Sequence, residues 1–218
     1  MTVIYEACVT SVSQARRAEQ AGADRLELCA RIITGGLTPP TRQMRTLRQA
    51  TSLPLHVMIR PGPGTFHPDA QTLERMRAEI GAARSSGADG VVLGVLDAAG
   101  AIDLPALEIL MAAARGLAVT FHRAFDLVPD PLAALETLVG LGVDRILTSG
   151  GAPSALEGGD RLRTLTRAAA ERIGIIAAGG VRADHAGALI LRTGVAEVHA
   201  HLTRSDDMRA LAAAVRGE

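Results

Sequence analysis

Short apolar runs alternate with longer amphipathic stretches along the whole chain. Four of the runs follow a glycine that closes an Ala-, Leu- or Arg-rich stretch. They are Gly22-Ala23-Asp24-Arg25-Leu26-Glu27-Leu28, Gly87-Ala88-Asp89-Gly90-Val91-Val92, Gly142-Val143-Asp144-Arg145-Ile146-Leu147 and Gly194-Val195-Ala196-Glu197-Val198. A glycine there ends a helix, since it accepts left-handed backbone angles, and the β-branched run behind it begins a strand. The glycines are 65, 55 and 52 residues apart, about twice the thirty-odd residues of one βα unit. Intervening strands are therefore expected, and runs at Val3 to Cys8, Leu55 to Arg60, Val119 to Arg123 and Ile173 to Ala178 supply them.

Helices are predicted over Ser13 to Ala21, Thr41 to Ala50, Asp69 to Ser85, Pro105 to Arg115, Pro131 to Val139, Ala155 to Glu171, Asp184 to Leu191 and Asp206 to Val215. Eight βα repeats in 218 residues predict one domain, a compact (βα)8 TIM barrel of the α/β class. A flavodoxin-like open sheet would leave about three strands without a place.

Strands of a parallel barrel are covered on both faces and should read as continuous apolar runs. Here their C-terminal ends carry Glu6, Glu27, Arg60, His122, Arg123, Ser149, His199 and His201. Sites of this fold are built at that end. Two-residue alternation puts Glu6 with Cys8, Glu27 with Cys29, His56 with Met58 and Arg60, and Glu197 with His199 and His201, each set on one inward face. A buried network, for example Glu6 or Glu27 bridged to Arg60, would also account for these charges. Glycine pairs follow three strands: Gly35-Gly36, Gly150-Gly151 and Gly179-Gly180. Backbone N–H groups at Ser149, Gly150 and Gly151, and at Gly179 and Gly180, suit an anion, although short βα turns also call for glycine.

Composition narrows the field. The 23 basic and 23 acidic residues cancel, so no electrostatic footprint for nucleic acid or anionic lipid exists. Only Tyr5, Phe66, Phe121 and Phe125 are aromatic, too few for a base-stacking platform. No apolar run approaches the roughly 20 residues of a membrane span, and no basic-then-apolar leader opens the chain, so cytoplasmic residence is expected. Lysine is absent, which excludes Schiff-base aldolase chemistry and a Walker-type phosphate loop. A small molecule or a metal ion is the expected partner.

Several stretches are too particular to be generic: Gly22 to Ala30, Gly35-Gly36-Leu37-Thr38-Pro39, Met58-Ile59-Arg60-Pro61, Val119-Thr120-Phe121-His122-Arg123-Ala124-Phe125-Asp126, Arg145 to Gly151 and Glu197-Val198-His199. In their combination the chain resembles the CutC family of copper homeostasis proteins. The resemblance covers nearly the whole chain. It implies a TIM barrel, cytoplasmic residence, a role in copper handling and a homo-oligomer, without implying a reaction. The chain departs from the family pattern in the loop Arg60-Pro61-Gly62-Pro63-Gly64-Thr65-Phe66, which lacks a second arginine and an aspartate. It departs again at His201, where a small residue is usual, and in ending at Glu218 without the tail of longer relatives.

Two functions follow as expectations. Soft Cu(I) selects thiolates, with imidazole as a partner. Cys8 and Cys29 stand at matching ends of adjacent strands, so the pair is a candidate copper site, against the reading of each as a small buried hydrophobe. A His199-x-His201 site for a borderline ion would need a third ligand from Glu197, Glu6 or Glu27. The alternative is an enzyme for a small anionic or phosphorylated metabolite. There Arg60 and Arg123 clamp the anion, Glu6, Ser149, Gly150, Gly151, Gly179, Gly180 and His199 line the site, and His122 and Glu27 act as acid and base.

Overall fold

Glycines 22, 87, 142 and 194 all take positive φ, between +72° and +92°, and each is followed within a few residues by a strand. The structure, a computed structural model, describes residues 3–218. Its strands are β1 (Ile4–Val9), β2 (Arg25–Leu28), β3 (Leu55–Met58), β4 (Gly90–Leu93), β5 (Ala118–Phe121), β6 (Arg145–Thr148), β7 (Gly174–Ala177) and β8 (Glu197–Ala200). The helices that follow them are α1 (Val12–Gln20), α2 (Thr41–Arg48), α3 (Ala70–Ser85), α4 (Leu104–Ala113), α5 (Pro131–Gly140), α6 (Gly159–Ala169), α7 (Ala183–Thr193) and α8 (Ser205–Arg216). Every strand pairs in parallel with its sequence neighbour, and β1 pairs with β8, closing the barrel. This is the (βα)8 architecture that the hydrophobic pattern predicts.

Local chemistry sets the helix starts. Ser11, Asp69, Asp103 and Asp130 accept hydrogen bonds from backbone N–H groups of the first turns of α1, α3, α4 and α5, satisfying donors that have no partner within the helix. Most element boundaries fall within two residues of expectation, and the largest departure is at the sixth helix. The sixth helix begins at Gly159 rather than Ala155, because the residues before it bond to neighbouring loops. The Ala155 N–H donates to the Gly179 carbonyl at 2.9 Å. Gly158 lies so close beneath Ser149 that a Cβ would fall 1.8 Å from the Ser149 carbonyl oxygen.

Apolar side chains occupy two shells. The outer shell, between strands and helices, includes Leu26, Leu55, Val57, Ile59, Leu93, Phe121 and Ile146, all fully buried. Inside the barrel are two small clusters, one of Cys8, Cys29, Met58 and Val92 and one of Leu147, Ile176 and Ala178. Ionised groups share the interior with them, and the way those charges pair determines the site.

Candidate functional site

Glu6 lies at the centre of the interior network. Its carboxylate accepts from Arg25 Nε at 2.5 Å and from His199 Nδ1 at 2.7 Å, with His56 Nδ1 at 4.0 Å. Arg25 also donates to Glu197, which accepts from Arg145 at 3.2 Å. Burial would raise the Glu6 pKa, but Arg25 and His199 outweigh it and hold the carboxyl below the usual carboxylate range. His199 is raised: burial opposes its charge, yet Glu27 and Glu6 favour it more strongly. His56, by contrast, is pushed down to about 4 by burial. The bridge to Glu6 comes from Arg25, not Arg60. Arg25 is absent from the expected site residues, although its alternation with Glu27 and Cys29 puts it on the same inward face.

Above this layer, the register Cys8↔Glu27 brings three groups together. The Cys8 thiol donates to Glu27 Oε1 at 3.5 Å, and the Cys8 and Cys29 sulfurs are 3.3 Å apart. Cys8, Glu27 and His199 offer ligand atoms all within 4.8 Å of one another. The hydrogen bond to Cys29, then burial and Glu27, raise the Cys8 thiol well above its ordinary value. Burial, reinforced by the Glu6 charge, raises Glu27, whose Oε2 has no hydrogen-bond partner among the described residues.

These groups form one wall of a cavity of about 180 Å³ at the C-terminal mouth. Phe66, His122 and Arg123 form the wall opposite. His122 caps the 3-10 turn Arg123–Leu127, and its Nδ1 accepts from the Ala124 N–H at 3.3 Å. The neutral ring therefore carries its proton on Nε2, which is buried and without a partner among the described residues. Burial, then the nearby Arg60 charge, lowers its pKa to about 3. Room for the ring comes from Gly94, where a Cβ would lie 2.5 Å from the imidazole.

The other expected residues sit close by, with partners of their own. Arg60 donates to the carbonyls of Thr34 at 2.9 Å, Gly36 at 3.4 Å and Gly64 at 3.3 Å, and stacks 4.7 Å over Phe66. Arg123 donates to Asp126 at 2.7 Å and to the Ser149 hydroxyl at 2.9 Å. Asp126 also accepts from the N–H groups of Ser149 and Gly151, both at 3.0 Å, while the Gly150 N–H donates to the Thr148 hydroxyl at 2.8 Å. The amides of Ser149, Gly150 and Gly151, expected to meet an anion, are thus engaged by the chain's own side chains. Gly179 and Gly180, both at positive φ, follow β7 on the same rim. His201 lies past β8, its Nδ1 3.1 Å from the Cys8 carbonyl oxygen. Larger cavities of about 480 Å³ behind the Arg60 loop and about 590 Å³ near the starts of α5 and α6 contain none of the buried Cys, Glu and His groups. The smaller cavity gathers Cys8, Cys29, Glu27, His122 and His199.

The CutC family profile matches residues 3–204. A "family protein CutC" of Caulobacter vibrioides is 47% identical over 197 residues, covering 90% of this chain and 80% of that protein. The human copper homeostasis protein cutC homolog is 43% identical over 208 residues, covering 94% and 76%. A crystal structure of CutC from Streptococcus agalactiae superposes with a TM-score of 0.87 at 32% identity, covering 90% of this chain and 97% of that one. Thiamine phosphate pyrophosphorylase from Pyrococcus furiosus, at 20% identity and a TM-score of 0.68, shares the barrel fold. With a matching profile from β1 to the end of β8 and a matching barrel, this chain belongs to the CutC family.

Proposed function

We propose that the chain takes part in copper homeostasis by binding Cu(I) through Cys8 and Cys29. The observation that carries this reading is the 3.3 Å approach of two buried sulfurs. That gap is shorter than twice a metal–sulfur bond of about 2.3 Å, so one ion can reach both. Two thiolates satisfy the preference of a soft ion, and His199 and Glu27 stand close enough to complete its shell. Copper is cargo here. The residues hold it and keep it from water, and the named role of the human relative supports the assignment.

Both cysteines are free, which suits a reducing compartment, and no helix of the described residues is long and apolar enough to cross a membrane. Cytoplasmic residence and homo-oligomerisation complete the proposal; light scattering tests the latter. The central test is an anaerobic Cu(I) titration against a chromophoric chelator. Stoichiometric binding that disappears in Cys8→Ala and in Cys29→Ala is expected. Equal affinity in the wild type and the double variant would refute the assignment.

A further inference from the structure

The wall facing the cysteines contains a donor that copper does not use. His122 is buried in the cavity, its Nδ1 is occupied by the Ala124 N–H, and its Nε2–H meets no acceptor among the described residues. Gly94 leaves space for the ring that any side chain would take, and the seated imidazole lines the cavity. A histidine held neutral in this way can donate a hydrogen bond but carries no charge. It suits a carbonyl oxygen, and it would polarise that oxygen when bound.

Next to it stands Arg123, which also lines the cavity. Its Nε and one terminal nitrogen are committed to Asp126 and Ser149, leaving the N–H groups of Nη1 for a carboxylate. Met58, Phe66 and Leu147 supply apolar surface between the two walls. The cavity is small, about 180 Å³, below the range of about 300–1,000 Å³ usual for drug-sized ligands, which favours a short organic acid.

We propose that this wall is a second binding site, for a short carboxylic acid bearing a carbonyl oxygen beside its carboxylate. The carbonyl oxygen accepts from His122 Nε2–H, and the carboxylate pairs with Arg123. The site stands on different residues from the copper pair and does not require metal.

The test uses metal-free protein and sodium pyruvate as probe, with acetate as the analogue that lacks the carbonyl. Calorimetry should show saturable pyruvate binding, and proton–nitrogen NMR should show the His122 Nε2–H resonance moving during the titration. Acetate should bind about tenfold more weakly, as should pyruvate to His122→Phe, since each loses one buried hydrogen bond. Absence of saturable pyruvate binding, or equal affinity for acetate and pyruvate in the wild type, would overturn the proposal. The second comparison needs no variant, so a folding defect in His122→Phe cannot obscure it. Because no copper is present, the outcome is separate from that of the Cu(I) titration.

Discussion

Gly94 and His122 form one unit, although they follow different strands, β4 and β5. A methyl group at position 94 would fall 2.5 Å from the imidazole, and a buried ring cannot yield without moving its neighbours. Gly94→Ala is therefore expected to destabilise the fold by about 1–3 kcal/mol, the usual cost of overpacking, and to shift the His122 ring resonances. Urea unfolding and NMR check the two parts. Cys8 makes a second prediction. Its thiol is held above its ordinary value first by the bond to Cys29, then by burial and Glu27, and it must lose its proton to bind a metal. Copper affinity should therefore rise with pH, and chelator competition at about pH 6 and about pH 8 should show protons released on binding. An affinity flat across that range would mean that ligands other than the thiolates hold the ion.

Between elements, Asp126 ties the turn after β5 to the loop after β6. It accepts from Thr148 at 2.5 Å, from the Ser149 and Gly151 N–H groups at 3.0 Å, and from Arg123 at 2.7 Å. Asp126→Ala leaves these donors without their acceptor and is expected to cost about 2–4 kcal/mol. A denaturation midpoint within error of wild type would show that water replaces the carboxylate without loss. The glycine-rich loop was legible as a turn. Its use of an internal carboxylate was not, because Asp126 lies more than twenty residues upstream. The start of α6 was misplaced for a similar reason: Ala155 onward has helical composition, but its backbone is claimed by Gly179 across the rim.

The barrel as a whole should be acid-labile. His56 and His122 are neutral in the fold, with pKa values pushed down to about 4 and about 3, whereas in the unfolded chain each takes a proton near pH 6.5. Between those values the unfolded state binds more protons, so stability falls as pH falls. From about pH 7 to about pH 5 the two histidines together remove roughly 4 kcal/mol. His199 works in the opposite direction. Its folded pKa is raised, so its contribution is present below about 6.5 and fades as pH climbs through the folded value. Glu6, depressed in the fold, contributes above about 4.3 and is lost as pH drops toward its folded value. Urea unfolding at several pH values reads the sum. NMR titration of the two rings isolates their share of that sum, and a midpoint near 6.5 for either would mean that the ring is solvated in the native state.

The linear chain already contained the barrel, since helix-ending glycines and apolar runs are local signals, spaced by the fixed length of a βα unit. It also contained the polar strand ends, because two-residue alternation assigns each side chain a face before any folding. Which charge meets which depended on the register of eight strands around a closed ring. Closure placed Arg25 rather than Arg60 against Glu6, set Cys8 beside Cys29, and engaged the Ser149 and Gly151 amides with Asp126. Those pairings join residues nineteen or more positions apart, at distances where one strand shifted by one residue would turn every partner to the other face.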